Sequence, residues 1–306
     1  FLRLRQSVVK RQNRAAGDAG DTADALSFQQ AYDDLRTTQA ARLQALVSPF
    51  VLRRVKEDVV ADLPEKIEDT VMAQLTGEQR KLYLANQDRI AQQVQHREAG
   101  EFKKDKLKVL AELTKLRQIC CDPRLHYEDY KAGSAKLDTC MELVHGALDG
   151  GHRILLFSQF TGMLDIIGKR LAKEDIAFLK LTGASSKESR AKMVAQFQAG
   201  EVPVFLISLK AGGVGLNLTA ADVVIHYDPW WNVAAQDQAT DRAHRIGQQH
   251  TVTVYKLIAK DTIEERIMQM QESKRDLVNS VLGGDGISSA LFTREDVLAL
   301  LGGDGR

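Results

Sequence analysis

The sequence predicts an α/β protein built on a doubly wound parallel sheet, with a helical segment before the sheet. Up to about residue 133 the pattern is polar and helical, and from residue 134 the rhythm changes. Short runs of Val, Ile and Leu then alternate with helical patterns, which is typical of parallel strands joined by crossover helices. The strand runs carry few polar residues, as expected where helices cover both faces of a sheet.

The part of the chain before the sheet is predicted to be helical. Its first residues read as polar helix, interrupted by a flexible Gly/Asp-rich turn at 17–21. Pro49 and Pro64 bound a short helix, because a proline pushes the residue before it out of the α region. Two long amphipathic helices are predicted to follow, at residues 76–95 and 102–120.

Within the sheet region the predicted strands and helices alternate. Strands are predicted at 153–157, 176–181, 204–209, 223–227 and 252–258. Helices are predicted between them at 161–173, 186–198 and 233–245, and a long final helix at 263–282. Four domains follow from this pattern: a partly flexible segment at 1–49, a helical insertion at 50–133, the sheet domain at 134–282, and a tail with a short helix at 283–306.

Composition excludes several classes of protein. The 44% hydrophobic and 27% charged residues are ordinary for a soluble globular protein, and no apolar run is long enough to predict a membrane span. Cys120 and Cys121 are adjacent and Cys140 has no obvious partner, so we expect reduced thiols inside a cell. No Cys/His spacing suggests a metal site.

The net charge of +1 is nearly neutral. A protein that holds DNA mainly through its overall field is expected to be more basic. Any nucleic-acid contact is therefore expected to come from a local stripe of positive charge, or to be completed by a partner.

Ligands of open parallel sheets bind at the carboxyl ends of the strands. Two loops at predicted strand ends carry groups that suit phosphate binding. Ser158 and Gln159 follow the first strand and could meet a phosphate, although a helix cap at Thr161 explains them as well. After the strand at 204–209, Lys210 precedes a loop with three glycines in four positions, at 212–215, which lets the backbone approach a ligand closely. A plain glycine-rich turn is the alternative.

The third loop is the most informative. It follows the strand at 223–227 and leads into the predicted helix at 233–245, on which four side chains would share one face by their spacing: Gln238, Asp241, Arg242 and Arg245. Arginine binds phosphate oxygens with a rigid fork and stays charged, so this face suits a polyphosphate. A salt-bridged surface helix is the alternative, but it leaves the neighbouring tryptophans and the glycine-rich loop unexplained.

At these residues the sequence resembles the Swi/Snf family of superfamily-two ATPases, whose two RecA-like lobes clamp ATP and move along duplex DNA. The matching blocks come in the family's order at 48–54, 116–121, 156–160, 208–222 and 238–248. The last block, Asp-Arg-Ala-His-Arg-Ile-Gly-Gln behind a Trp-Asn pair, is highly specific. The resemblance implies a RecA-like second lobe of the P-loop NTPase type, with a helical protrusion before the sheet and a brace helix after it.

The resemblance also implies roles for individual residues. Arg242 and Arg245 resemble the sixth-motif arginines that reach the γ-phosphate and would be catalytic. The implied nucleotide-binding residues are Gln238, Asp241, Gly213 and Gly215. The implied DNA-binding residues are Ser158, Gln159, Thr182, Gly183, Ser208, Lys210, Trp231 and Asn232. Two positions depart from the family's pattern, since Thr182 stands where Asp is commoner and Val233 where Pro is commoner.

Two elements of a complete motor do not occur in the sequence: a Gly-x-x-x-x-Gly-Lys-Ser/Thr phosphate loop and an Asp-Glu-x-His box. In this family both belong to the first lobe. The resemblance therefore implies that ATP and Mg²⁺ are bound mainly by the N-terminal lobe of the same polypeptide. It also implies that residues 1–49 are the tail of that lobe. We expect the chain to be a fragment without ATPase activity of its own, with double-stranded DNA as partner and no membrane.

Two alternatives differ in class. A non-catalytic RecA-like module that binds DNA or protein would not need both Arg242 and Arg245. A dinucleotide-dependent enzyme would need the Gly-x-Gly-x-x-Gly fingerprint, which the loop at 212–215 does not complete. The expected location is the bacterial cytoplasm, at the nucleoid, or the nucleus of a eukaryote.

Overall fold

The computed structural model describes residues 63–95, 99–209, 211, 216–230, 233–270 and 294–302. The chain divides into two compact units, residues 1–59 and 60–306, and all of the described residues belong to the second. The short helix predicted between Pro49 and Pro64 lies outside the described residues. In the described ranges, no helix has both the length and the apolar character needed to cross a bilayer.

The described elements follow the predicted alternation of strands and helices. The helices are α1 (Gly77–Gln95), α2 (Ala99–Cys121), α3 (Ala135–Asp149), α4 (Thr161–Lys173), α5 (Lys187–Gln198), α6 (Val233–Thr240), α7 (263–270) and α8 (Arg294–Leu301), with a short 3₁₀ helix at Pro123–Leu125. The strands are β1 (Lys66–Gln74), β2 (Ile154–Ser158), β3 (Phe178–Leu181), β4 (Val204–Ser208), β5 (Val223–His226) and β6 (Val252–Lys260).

The strands form one parallel sheet in the order β1-β6-β5-β2-β4-β3. Strands β2, β4 and β5 are buried along their whole length, because helices cover both faces at the centre of the sheet. Side chains alternate between the faces, so that Leu156 joins one core cluster and Phe157 the other. The predicted doubly wound α/β fold is confirmed.

The helices that follow neighbouring strands pack on opposite faces of the sheet. Met163 and Ile167 of α4, the helix after β2, belong to one core cluster, whereas Ala239 of α6, the helix after β5, belongs to the other. A crevice therefore opens at the carboxyl ends of β2 and its neighbours, where ligands of such sheets bind.

A third core cluster joins helices α1, α2, α7 and α8 beside the end of β6. Tyr83 of α1 packs with Leu116 of α2 and Ile263 of α7, and the Tyr83 hydroxyl accepts a hydrogen bond from the Ile263 backbone N–H at 2.7 Å. The two long helices predicted before the sheet and the start of the final helix are thus confirmed. The remainder of that final helix, after residue 270, lies outside the described residues.

Strand β1 was not predicted from the sequence. It falls inside the segment predicted to be a helical insertion, 50–133, so that segment is not helical throughout. The strand pairs with β6 over its full length, from Lys66 beside Val252 to Gln74 beside Lys260. Its sequence has neither a continuous apolar run nor strict alternation, because it lies at the edge of the sheet and is mostly exposed.

Candidate functional site

The loops after β2 and β5 are joined by one buried carboxylate at the carboxyl edge of the sheet. Asp228 is 1% exposed, and it accepts hydrogen bonds from the Ser158 hydroxyl at 2.5 Å and from the Gln159 backbone N–H at 3.2 Å. The Leu209 N–H bonds to the Ser158 carbonyl at 3.0 Å, which extends the connection to the end of β4. Three strand ends are therefore held in register where the sequence predicts a ligand site.

Both serines predicted to contact DNA lie below the surface of this edge. Ser158 is fully buried and its hydroxyl, besides donating to Asp228, accepts from the Phe160 N–H at 3.1 Å. Ser208 is 3% exposed. The Ser158 hydroxyl thus has an internal partner, contrary to a free phosphate-binding group, and its contact with DNA stays a prediction. The cap proposed at Thr161 is wrong, because the N-cap residue of α4 is Phe160 and it makes no side-chain cap bond.

Gln159, another predicted DNA-binding residue, is half-buried and both ends of its amide are engaged. Its Nε2 donates to the Pro229 carbonyl at 3.4 Å, and its Oε1 accepts from Nη1 of Arg117 at 3.1 Å. Arg117 lies on α2 and was not predicted as a site residue. The sequence feature that could have identified Arg117 is its charge beside Leu113 and Leu116, on the apolar face of a helix.

The turn after β3 contains Thr182 and Gly183 and is closed by its own hydrogen bonds. The Thr182 N–H bonds to the Ser185 hydroxyl at 3.1 Å, and the Ala184 N–H to the Thr182 hydroxyl at 3.3 Å. Arg190 of α5 donates to the carbonyls of Ser185, Thr182 and, at 3.4 Å, Ala211. Gly183 is exposed, and the turn lies with the other loops at the carboxyl edge.

The helix predicted at 233–245 is shorter than expected. Helix α6 ends at Thr240, after which the Arg242 N–H bonds three residues back to Ala239, and the Arg245 N–H two residues back to Ala243. Arg242 and Arg245 therefore lie on a tight turn, and the single helical face predicted for the four polar residues is wrong. We call residues 241–248 the arginine turn.

Tertiary hydrogen bonds explain why the helix ends early. The buried Gln248 amide donates to the carbonyls of Thr219, Ala221 and Ala243, at 2.7 to 3.2 Å, and accepts from the N–H groups of its two following residues. The Leu218 N–H donates to the Arg242 carbonyl at 3.0 Å. The Arg242 carbonyl, which would continue the helix, is thus bonded to the loop before β5, and the Ala243 carbonyl is bonded to Gln248, so these bonds hold the arginine turn in place.

Arg242 and Arg245 differ in environment. Arg242 is 6% exposed, and its buried Nε–H has no hydrogen-bond partner among the described residues. Burial, and to a lesser extent Arg245, lowers the pKa of Arg242, against the opposite effect of Asp241. Arginine nevertheless keeps its charge at neutral pH. Arg245, Gln238 and Asp241 are exposed. The permanent charge of the two arginines suits an anionic ligand.

Five predicted site residues lie outside the described residues: Lys210, Gly213, Gly215, Trp231 and Asn232. Their predicted contacts with nucleotide or DNA stay predictions. Among the residues that the structure describes, no group of His, Cys, Asp and Glu side chains could hold a metal ion.

A buried histidine lies behind the arginine turn. His226, at the end of β5, bonds through Nε2 to the Thr240 hydroxyl at 2.8 Å, at the point where α6 ends, and its ring stacks on Phe157. Burial lowers the pKa of His226 from 6.5 to about 3, and the nearby Lys256 adds to this effect while Glu68 opposes it.

The low pKa of His226 predicts a loss of stability in mild acid. The unfolded chain binds a proton near pH 6.5 and the folded chain only near pH 3, so this stability is present above pH 6.5 and declines as the pH falls towards 3. Between pH 6.5 and 4.5 we expect the unfolding free energy of the wild type to fall by about 2 kcal/mol more than that of His226→Gln. Urea unfolding at the two pH values measures the difference, and equal declines in the two proteins would contradict it.

A second buried polar cluster ties α2 and α3 to α7 beneath Tyr227. Lys136 and Glu264 form a fully buried ion pair at 2.5 Å, and Glu264 also accepts from the Ala259 N–H at 2.9 Å. The Tyr227 hydroxyl donates to the Cys121 carbonyl at 3.0 Å. Because Tyr227 immediately precedes Asp228, this cluster supports the loop after β5 from below.

Comparisons with known proteins agree with this fold. Residues 135–247 match the helicase conserved C-terminal domain, and residues 20–125 match the SNF2-related domain. A putative ATP-dependent helicase/translocase of Bacillus subtilis is 40% identical over 264 residues, which cover 83% of this chain and 28% of that protein. The chain spans about a quarter of the length of the curated relatives it matches.

Two solved structures are similar in both sequence and fold. The SWI2/SNF2 ATPase core of Sulfolobus solfataricus in complex with dsDNA is 36% identical with a TM-score of 0.65, and the match covers 85% of this chain and 55% of that one. The C-terminal domain of a Sulfolobus solfataricus SWI2/SNF2 ATPase is 32% identical with a TM-score of 0.63, over 77% of this chain and 98% of that one. With both family models matched and nearly all of that solved domain covered at 32% identity, the chain belongs to the SWI2/SNF2 family of ATPases.

Proposed function

We propose that this chain is the second motor lobe of an ATP-dependent translocase that moves on double-stranded DNA. The observation that carries the proposal is the arginine turn, on which Arg242 and Arg245 lie at the carboxyl edge of a RecA-like sheet. Arg242 has a buried Nε–H without a partner among the described residues, and Arg245 is exposed. Two cationic forks in these positions suit the charge of a triphosphate.

The reaction we propose is phosphoryl transfer from ATP to water. A first lobe would bind ATP with Mg²⁺, which neutralises part of the phosphate charge. On closure, Arg242 and Arg245 would meet the equatorial oxygens of the γ-phosphoryl group, where negative charge is spread in the transition state. Arginines in this role contribute about 10³- to 10⁵-fold in rate in related phosphoryl-transfer enzymes. Gln238 and Asp241, with the loop at 212–215, would line the nucleotide.

The remaining loops of the carboxyl edge would hold the DNA backbone. Gln159 and the Thr182–Gly183 turn are candidates among the described residues, and Lys210, Trp231 and Asn232 are further candidates from the sequence. Contacts to phosphate and sugar carry no sequence information, so the grip would be independent of sequence. The complex of the Sulfolobus solfataricus relative with dsDNA supports duplex DNA as the ligand.

Displacement of a triplex-forming strand from duplex DNA tests the proposal directly. The protein to assay is a longer polypeptide that joins this chain to a first lobe with a phosphate loop. We expect displacement that requires ATP, together with ATP hydrolysis that duplex DNA stimulates. Binding of DNA without hydrolysis would instead favour a non-catalytic RecA-like module.

A further inference from the structure

We propose that Arg117 is a positioning residue that sets the geometry of the DNA-facing loops, an inference that rests on the proposed function. The residue lies near the end of α2, in the helical cluster beside the sheet. It contacts the loops after β2 and β5 at the carboxyl edge. Packing alone does not explain this residue, since its side chain is polar and only 1% exposed.

The contacts of Arg117 use both terminal nitrogens of its guanidinium. Nη1 donates to Gln159 Oε1 at 3.1 Å, and Nη2 donates to the Pro229 carbonyl. Gln159 Nε2 donates to the same carbonyl at 3.4 Å, so Arg117, Gln159 and Pro229 are each bonded to the other two. The guanidinium also lies over the Phe160 ring, 5.8 Å from its centroid. One planar group therefore holds both loops at a defined separation.

The energetics favour a positioning role over simple filling of space. The buried neighbours of Arg117 on α2 are leucines, an isoleucine and two cysteines, and an apolar residue would cover the same helix face without a desolvation cost. A buried guanidinium is stable only where its hydrogen bonds offset that cost. Its partners are 42 and 112 residues away in the sequence, so the bonds link separate segments of the chain.

The loops that Arg117 holds are those with predicted DNA contacts. Gln159 is itself a candidate, and Pro229 leads to Trp231 and Asn232 two and three residues later. Lysine cannot replace the guanidinium, because a single ammonium group cannot reproduce two parallel donors in a fixed fork. Arg117→Lys should therefore keep the charge but release the two loops from each other.

A spectroscopic test needs no DNA. The chain has two tryptophans, Trp230 and Trp231, and both directly follow Pro229. In the 306-residue chain we expect Arg117→Lys to shift the tryptophan emission and to increase its quenching by acrylamide. The control is Arg124→Lys, since Arg124 bonds to Asp122 beside it and is partly exposed. Emission and quenching like those of the wild type in a folded Arg117→Lys chain would overturn the proposal.

A kinetic test uses the polypeptide that includes a first lobe. For Arg117→Lys we expect the duplex DNA concentration at half-maximal ATPase stimulation to rise about tenfold, with the DNA-independent rate unchanged. Gln159→Ala should cause part of this change, and the double variant should be no worse than Arg117→Lys alone. Additive effects, or equal losses with and without DNA, would show that Arg117 only stabilises the fold and overturn the proposal.

The two tests separate this inference from the proposed function. If the wild type shows no stimulation by DNA, the proposed function fails, while the tryptophan signal still decides whether Arg117 holds the loop after β5. If Arg117→Lys does not fold, Gln159→Ala carries the kinetic test, because Gln159 is half-buried and lies at the surface end of the arrangement. A normal DNA half-saturation in Gln159→Ala would then overturn the inference.

Discussion

Replacement of Arg245 by alanine is expected to lower DNA-stimulated ATP hydrolysis at least ~10³-fold while ATP still binds. Arg245 is exposed and would be accessible to a triphosphate on a neighbouring lobe, and hydrogen bonds of the arginine turn hold its backbone in place. An interaction that forms mainly in the transition state changes the turnover rate far more than nucleotide affinity. Phosphate release and nucleotide binding, measured in the two-lobe polypeptide, separate the two effects.

The matched control is Arg170→Ala on α4. Arg170 is a partly exposed arginine, paired with Glu174 one helical turn away, and an ion pair near the surface contributes little to stability. Its removal should leave turnover unchanged. If Arg245→Ala kept its turnover, Arg245 would lose its catalytic role. A fall in both variants would indicate a general effect of lost charge.

Replacement of Lys136 by methionine is expected to destabilise the fold by about 3–5 kcal/mol. The change leaves the Glu264 carboxylate buried without its cation, and a lone buried charge costs far more than a lost surface pair. Because this cluster lies under Tyr227 and joins α3 to α7, the loss is expected to affect the whole unit. Urea unfolding followed by circular dichroism measures it.

Two further variants distinguish the effect of the unpaired buried charge from the effect of lost packing. Lys136→Met with Glu264→Gln should recover much of the stability, because the amide oxygen can still accept from the Ala259 N–H without a buried charge. Lys180→Met breaks the exposed pair with Asp165 and should cost less than about 1 kcal/mol. If Lys136→Met cost as little as Lys180→Met, the ion pair would not stabilise the fold.

The centre of the sheet could be predicted from the sequence because burial leaves a local signal. Strands β2, β4 and β5 are covered on both faces, so each appears as a continuous apolar run. Strand β1 has the opposite environment at the edge and shows no such run. It is stabilised by pairing with β6, nearly 190 residues later in the chain, as the contact of Lys256 with Glu68 illustrates. No local pattern records a partner at that distance.

The sequence could indicate candidate site residues, but not their geometry, for the same reason. Arg242 and Arg245 were identified by residue type and by the family's motif, which are local properties. The turn on which they lie was not, because Gln248 ends the helix through bonds to residues 219 and 221. Arg117 and Asp228 were also missed as site residues, since their partners are contributed by distant segments. Local patterns predicted the residue types of the candidate site, and tertiary hydrogen bonds give its geometry.

The central claim is that the arginine turn acts on a triphosphate that another lobe supplies. The most direct measurement is phosphate release from ATP by the 306-residue chain alone, with duplex DNA and Mg²⁺ present. We predict no hydrolysis above the buffer rate, because the sequence contains no phosphate loop and the arginines would have no bound nucleotide to meet. DNA-stimulated hydrolysis by the purified chain, abolished by Arg245→Ala, would contradict the claim, since the chain would then form a complete nucleotide site by itself.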